Sequence, residues 1–310
     1  MAYKVLELTG YYRLKKSIKH KHFIRRILRE DAEKKKRVLA AIDSLSGNQL
    51  SRQEDASDII VSLTSYGVRV NDTLPYTLYS LLQQTRKPNR IVVWLDNINW
   101  DEEKLPPVLK KFEALGIEFC FVEDLQSYKK LIPALKRFPD NVIITVDDDV
   151  YYAENVIERL LLFYEKSDKR TVLGTWASIT RSKEGTYLPY SQWISKDQST
   201  CNESECCLIG CGGILYPPHI FDEEIMRKDI FMQLAPTADD LWLWAMEKRL
   251  NLNVIKISGN KNQWITSVNR VDDYETDKEG SLYYINELKG ANDIQLAQLV
   301  KYYQLKPTSL

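Results

Sequence analysis

The chain has 310 residues, 44% of them hydrophobic, and its 43 basic and 43 acidic residues cancel to no net charge. That length and apolar content allow a sizeable core, and they fit one large α/β domain with an appendage at least as well as two equal domains. The longest apolar runs, such as VIITV at 142–146 and LLLFY at 160–164, fall far short of the roughly 20 residues that span a bilayer. The first stretch, MAYKVLELTGYYRLKK, lacks the unbroken apolar core of a secretory signal, so a cytosolic location is the expectation.

Residues 11–45 are expected to be helical, with basic residues distributed around Ile18, Phe23, Ile24, Ile27 and Leu28. Charge is uneven here: Tyr11 to Val38 holds 12 Lys or Arg against Glu30, Asp31 and Glu33, leaving 31 basic and 40 acidic residues elsewhere. Two readings fit. One is a basic arm that meets an anionic phospholipid surface, a lipid-linked phosphate or nucleic acid; the other is a solvated basic helix packed on an acidic body. The segment carries no recognition module for nucleic acid, so that partner is not expected. A polar stretch, SLSGNQLSRQEDAS, reads as a linker to residue 57, which makes 1–57 an extension.

From residue 58 strands and helices alternate. Asp58–Leu63, Arg90–Leu95, Gly116–Val122 and Asn141–Val146 read as strands; Asn71–Gln84, the stretch DEEKLPPVLKKFEAL from Asp101, and Ser127–Arg137 read as helices. This spacing implies an α/β, Rossmann-like fold with a mostly parallel central sheet and helices on both faces. Ligands of such sheets bind beyond the carboxyl ends of the strands, where TSYGVR, LDN, EDLQSYKK and DDDVYY fall.

The later part is less regular. A helix AENVIERLLLFYEKS is followed by a strand-like Thr171–Trp176, the aromatic stretch GTYLPYSQWI, a cysteine cluster, the Gly-rich LIGCGGILYPP, and the helix TADDLWLWAMEKRL. Asn253–Ile257 returns to strand character, and Asn292–Leu305 reads as an amphipathic helix in a final extension, 259–310. Both terminal helices can pack on the body or on another subunit, so a homo-oligomer is compatible with the chain.

Cys201, Cys206, Cys207 and Cys211 lack the paired C-x2-C knuckles of zinc sites, and an odd total of five argues against a disulfide framework. Buried or free thiols are the expectation. Trp176, Tyr187, Tyr190 and Trp193 fit either a platform for a sugar or ordinary packing, and Gly212 and Gly213, with Gly210, fit either a close backbone approach to a sugar or a tight turn. Trp242 and Trp244 are expected in the core.

The stretch NVIITVDDDVYY ends a strand on three carboxylates. In extended backbone, alternate side chains share a face, so Asp147 and Asp149 are expected to point together and Asp148 away. A D-x-D offers a divalent cation two oxygen ligands, and Mg²⁺ is commonly held by one or two carboxylates plus substrate phosphates, Mn²⁺ by similar donors. The competing reading is a helix cap with solvated neighbours; its position after the fourth strand favours the cation.

In this order, IIVSLTSYGVR, RIVVWLDN, YKKLIPAL, IITVDDDVYY, GCGGILYPP and TADDLWLW resemble a bacterial GT-A-fold, family 2-like glycosyltransferase of the kind found in surface-polysaccharide and capsule assembly. The likeness covers about residues 58–258, split at 150 into a nucleotide-binding half and an acceptor-binding half. The resemblance implies a nucleoside-diphosphate sugar donor, UDP-linked by preference, a saccharide or lipid-linked saccharide acceptor, and Mn²⁺ or Mg²⁺. It implies that Thr64, Ser65 and Arg69 border the nucleotide, that Asp96 faces the base, and that Lys130 and Asp148 lie near the donor. Asp147 would approach ribose or metal, Asp149 would bind metal, and Asp239 and Asp240 would form the acidic pair, with Asp240 as general base of an inverting transfer. Trp176, Tyr190, Trp193, Gly212 and Gly213 become acceptor candidates. Many such enzymes add a C-terminal histidine ligand, and none follows His219.

Thr237 and Asp240 also fit a capping box, which would lower the basicity of Asp240. Two other functions stay open on the sequence: a nucleotidyltransferase, which would want a more Gly-rich first loop than TSYGVR, and a non-catalytic sugar-nucleotide or carbohydrate-binding protein.

Overall fold

β-branched and apolar runs buried on both faces form the centre of the molecule, as parallel strands between helical layers require. The computed structural model describes residues 2–51, 59–196, 206–274 and 284–307, with side chains from residue 19 onward apart from 195, 196 and 273. After helix α1 (Ala2–Ser44) come β1 (Ile59–Thr64), α2 (Leu74–Leu82), β2 (Arg90–Asp96), α3 (Pro107–Ala114), β3 (Glu118–Val122), α4 (Ile132–Arg137) and β4 (Val142–Thr145). β1 runs parallel to β2 and β4, and β2 parallel to β3. Alternate side chains feed two cores: Ile60, Val92 and Ile143 enter one, and Val61, Leu63, Val93 and Ile144 the other. Each such burial contributes roughly 1.5–3 kcal/mol, so the sheet, not its polar loops, holds the scaffold.

The remaining strands complete the sheet from the other side. β5 (Val150–Tyr152) leaves it, α5 (Val156–Lys166) follows, and β6 (Thr171–Gly174) returns. β7 (Ala177–Ile179), β8 (Ile194–Lys196) and β9 (Cys206–Leu208) make a small antiparallel sheet. β10 (Ile214–Tyr216) enters antiparallel between β4 and β6. After α6 (Lys228–Leu234) and α7 (Asp239–Arg249), β11 (Asn253–Lys256) pairs with β6 in parallel, giving a seven-stranded order β11-β6-β10-β4-β1-β2-β3. β12 (Ile265–Ser267) pairs with β5, and α8 (Ala291–Tyr303) packs along α7.

This is the α/β, mostly parallel architecture expected of the sequence. Several helices are shorter than their patterns suggested, each for a reason at a proline. The stretch 71–84 breaks at Thr73, with Pro75 in the first turn of α2. α3 begins only at Pro107, because Pro106 takes an extended φ/ψ and a residue before proline is kept from the helical region. The stretch 127–137 splits into a 3-10 turn, Gln126–Lys130, and α4, with Pro133 near its start. β10 was hidden in the Gly-rich stretch.

One face of α1 is docked: Ile27, Asp31, Val38 and Ile42 are buried. Arg270 anchors it through Asp31 (2.6 Å) and Glu30 (3.0 Å), and Lys34 lies 3.4 Å from the ring centre of Tyr151 in β5. Among the described residues no helix is long and apolar enough to cross a membrane. Cys120, Cys207 and Cys211 are free thiols, Cys206 is buried, and Cys201 lies outside the described residues, as does most of the linker after residue 51.

Candidate active site

Strand order reverses at the β1/β4 pair, the switch point at which open α/β sheets leave a crevice beyond their carboxyl ends. A cavity of about 670 Å³ opens there. Thr64, Arg69, Lys130, Asp147, Asp148, Asp239 and Asp240 line it, together with Trp176, Tyr190 and Trp193. Residues more than 170 positions apart in the chain thus meet around one space. A shallower depression of about 530 Å³ beside Asn155, Arg159 and Trp264 contains none of the expected residues.

The carboxylate triplet does not follow the strand alternation. β4 stops at Thr145 and the chain bends before β5, so Asp148 and Asp149 converge on one guanidinium. Arg69 lies 2.9 Å from both, and Ser65 donates to the second oxygen of Asp148. Asp147 instead takes Lys130 at 2.9 Å. The expectation that Asp148 points away from its neighbours is corrected: it is the most engaged of the three. Its side chain is only 5% exposed, against 30% for Asp147 and 35% for Asp149. Burial pushes the Asp149 carboxyl up to about 6, Arg69 opposing and the two neighbouring aspartates adding to the rise.

Asp147 and Asp149 each commit one oxygen to a cation. Partly exposed, hard oxygen donors of this kind fit Mg²⁺ or Mn²⁺ completed by phosphate. Asp149 does not itself line the cavity and meets it through Arg69. Among the described residues no three His, Cys, Asp or Glu side chains form a cage for a metal.

Lys130 is the centre of the charge arrangement. Its carbonyl accepts from the buried Ser62 hydroxyl (2.6 Å), itself held by the Trp94 indole (2.8 Å), and the next residue but one before it, Tyr128, donates to the Ala235 carbonyl (2.6 Å). The ammonium reaches Asp147 at 2.9 Å and Asp239 at 3.0 Å. Burial works against its charge, but Asp147, Asp239 and Asp240 hold it protonated well above the usual lysine range. The contact with Asp239 is an ion pair without hydrogen-bond geometry, so the buried Oδ2 of Asp239 keeps an unmet acceptor.

Asp240 differs from its capping-box expectation. The residue at the start of α7 is Ala238, with no side-chain cap, while Thr237 is drawn away to Asn286 (2.6 Å) and to Gln295, whose side chain donates to it at 2.9 Å. Among the described residues Asp240 accepts only the Gly210 amide, at 3.1 Å. Burial pushes its carboxyl up to about 7, Asp239 and Asp147 adding to the rise and Lys130 opposing it. A side chain at Gly210 would sit 2.6 Å from the Lys130 ammonium and 2.9 Å from Asp240; that glycine is the one whose smallness the cavity needs.

Gly212 and Gly213 serve the protein's own packing. A Cβ at 212 would lie 2.5 Å from the Thr175 hydroxyl, and Gly213 has φ +95°; neither lines the cavity. Asp96 is buried at the end of β2, accepts the Asn99 amide at 2.8 Å, and also stays out of the lining. Thr64 lines it while donating to the Trp94 carbonyl at 2.7 Å. Trp242 and Trp244 are core residues, as expected.

The sequence did not reveal Tyr152, whose hydroxyl accepts the Asp147 amide (2.9 Å) and donates to the Cys211 carbonyl (2.8 Å), tying the carboxylate loop to the glycine loop. Nor did it reveal Asn286, Glu287 and Asn292, which line the cavity from the final extension. Three polar residues without spacing or motif gave no signal to find them by.

No curated protein sequence matches the chain. Among solved structures, S. aureus TarS 1-349 in complex with UDP is similar at 18% identity and TM-score 0.41, over 78% of this chain and 70% of that one. CMP:2-keto-3-deoxy-manno-octonic acid synthetase complexed with CTP is similar at 12% identity and TM-score 0.40, over 64% of this chain and 88% of that one. The model of the glycosyl transferase family 2 matches residues 60–215, a span that holds both strands of the switch point, the carboxylate triplet and Lys130. With just over half of its length matched, the chain belongs to glycosyl transferase family 2.

Proposed function

We propose that the chain moves a sugar, with inversion, from a nucleoside-diphosphate donor to a saccharide acceptor, in the building of a bacterial surface polysaccharide. The observation that carries this reading is Asp240: a cavity carboxylate with one oxygen unbonded among the described residues and a pKa pushed up to about 7, suited to taking a proton near neutrality.

In this reading the donor lies over the carboxyl ends of β1 and β4, with Thr64, Ser65 and Arg69 beside the nucleotide, UDP by preference, and Asp96 behind the base. Asp147 and Asp149 are the residues that would hold Mn²⁺ or Mg²⁺, which when bound supplies Lewis-acid neutralisation of the diphosphate. Arg69 and Lys130 add fixed positive charge at the same place. The acceptor hydroxyl attacks the anomeric carbon, the bond from that carbon to the diphosphate oxygen breaks, and the electron pair departs with the nucleoside diphosphate. Asp240 takes the hydroxyl proton, and Asp239, through Lys130, fixes the electrostatics around it. Trp176, Tyr190 and Trp193 offer aromatic surface to the acceptor.

Calorimetric titration of UDP, GDP and CDP, with and without Mn²⁺, tests the donor half. One nucleotide is expected to bind, more tightly with metal, and to lose that gain in Asp149→Ala; no binding of any of them removes the reading. The exposed cations Lys19, Lys21, Arg25 and Arg26 on α1 support docking at the inner, anionic face of the cell membrane. Flotation with phosphatidylglycerol vesicles should be lost when these four become Glu, and unchanged flotation would reject the membrane role.

A further inference from the structure

The two halves of the cavity wall differ in charge. The lining cations Arg69, Lys129 and Lys130 all come from the first half of the chain. The second half contributes the carboxylates Asp239, Asp240 and Glu287, and no Lys or Arg among its described lining residues. Lys261 lies 4.3 Å from the Trp176 ring centre and outside the lining.

That wall is built rather than incidental. Trp193 is fixed by its indole hydrogen bond to the Leu188 carbonyl (3.1 Å), with ring centres 5.1 Å from Tyr190 and 5.3 Å from Trp244. The adjacent Ser191 gives both its amide and its hydroxyl to Asp293 at 2.8 Å, which locks this aromatic loop onto the first turn of α8. Just before α8, Asn286 spends its amide on Thr237, donating to its carbonyl at 2.7 Å. Glu287 is different. One oxygen accepts the Asn292 amide at 3.0 Å, and the other has no partner among the described residues.

We propose that this wall is a subsite for an uncharged sugar ring, whose face stacks on the aromatic residues and one of whose hydroxyls is held by the free oxygen of Glu287. The proposal deepens the glycosyltransferase reading and rests on it only for calling that ring the acceptor. Aromatic faces match the apolar faces of sugar rings, and an ionised carboxylate, which can only accept, suits the O–H that a sugar hydroxyl donates. An anionic saccharide would instead meet the open oxygen of Glu287, which has no ion pair among the described residues, and like charges brought together in an interface disfavour binding. Glu287 therefore sets a preference by charge as well as by contact.

Saturation-transfer NMR on the full chain tests this with matched probes: the methyl glycosides of glucose, galactose, mannose and N-acetylglucosamine, and the methyl uronides of the first three. At least one neutral glycoside is expected to bind, with its uronide at least about threefold weaker, for one screened like-charge contact at an exposed carboxylate. Glu287→Gln, which keeps the shape and the bond to Asn292, should raise uronide binding relative to the neutral partner and so shrink that ratio. A uronide that binds as well as its neutral partner, an unchanged ratio in the variant, or no binding of any neutral glycoside each overturns the proposal. UDP titrated into the same samples separates the two readings. If UDP binds and the ratio fails, the subsite alone falls; if neutral glycosides bind selectively and no nucleotide does, the transferase reading falls and the subsite stands.

Discussion

The proposed donor side and the proposed acceptor side of the cavity are built by opposite means. On the donor side each of three consecutive carboxylates has a cation within 2.9 Å, supplied by a loop at the end of a neighbouring parallel strand or by the turn after β3. On the acceptor side, aromatic rings and a carboxylate with an open oxygen come from segments joined by hydrogen bonds over 102 positions in the case of Ser191 and Asp293. A contiguous run of β-α units fixes the first arrangement almost by topology, because parallel strands must all deliver their carboxyl ends to one edge. The second depends on individual side-chain contacts and can vary without disturbing the sheet.

The largest effects should fall where the two sides touch. Asp240→Asn is expected to reduce transfer by about a thousandfold, in the range general-base removal produces, while UDP affinity changes little. Equal loss of nucleotide binding would place Asp240 on the donor side and erase the distinction. Lys130→Met should be felt on both sides, because it leaves Asp147 and Asp239 without their shared cation. Breaking a buried charge cluster typically costs about 3 kcal/mol or more, so a clearly lowered melting temperature should accompany weaker UDP binding. A variant with wild-type melting would show that the cluster is screened by water.

The same contrast explains what could be read from the sequence. The alternation of apolar runs with helical stretches announced the parallel strands β1 to β4 and the helices between them, the acidic strand end singled out Asp147 and Asp149, and the family resemblance pointed to Arg69 and Lys130, which the fold brings into ion pairs with those carboxylates. Side-chain direction was not legible there: period-two alternation holds only within a strand, and β4 ends two residues before Asp147. Thr237 looked like a helix cap because its competing partners, Asn286 and Gln295, lie about fifty residues on. Glu287 was invisible for the same reason: a lone carboxylate in a polar stretch gains meaning only from what folds against it.

Gly210→Ala is a smaller and more local way to sharpen the comparison. The added methyl would meet the flexible end of Lys130 at 2.6 Å and the Asp240 carboxylate at 2.9 Å, so both must shift while the sheet does not. Transfer should fall by about tenfold, a modest share of the thousandfold assigned to base removal, with melting and UDP binding near wild type. Unchanged turnover would mean that the position of Asp240 tolerates displacement, against its proposed role.

The smallest effect lies beneath the acceptor side. Glu247 is buried on α7, and burial pushes its carboxyl from 4.5 up to about 8, Lys248 opposing and Asp240 adding to the rise. Between those two values the folded chain holds a proton that the unfolded chain has released, so stability falls as pH rises through the window. Asp240, pushed up from 3.8 to about 7, acts in the same direction over the lower part of it. Melting temperature should therefore decline from about pH 5 to about pH 8, by roughly ten degrees for a chain of this size. Glu247→Gln keeps the shape, removes the ionisation, and should flatten the decline without abolishing it, since Asp240 remains. A variant whose melting temperature falls as steeply as that of the wild type would show that Glu247 ionises as readily in the folded chain as in water. The decline would then belong to Asp240.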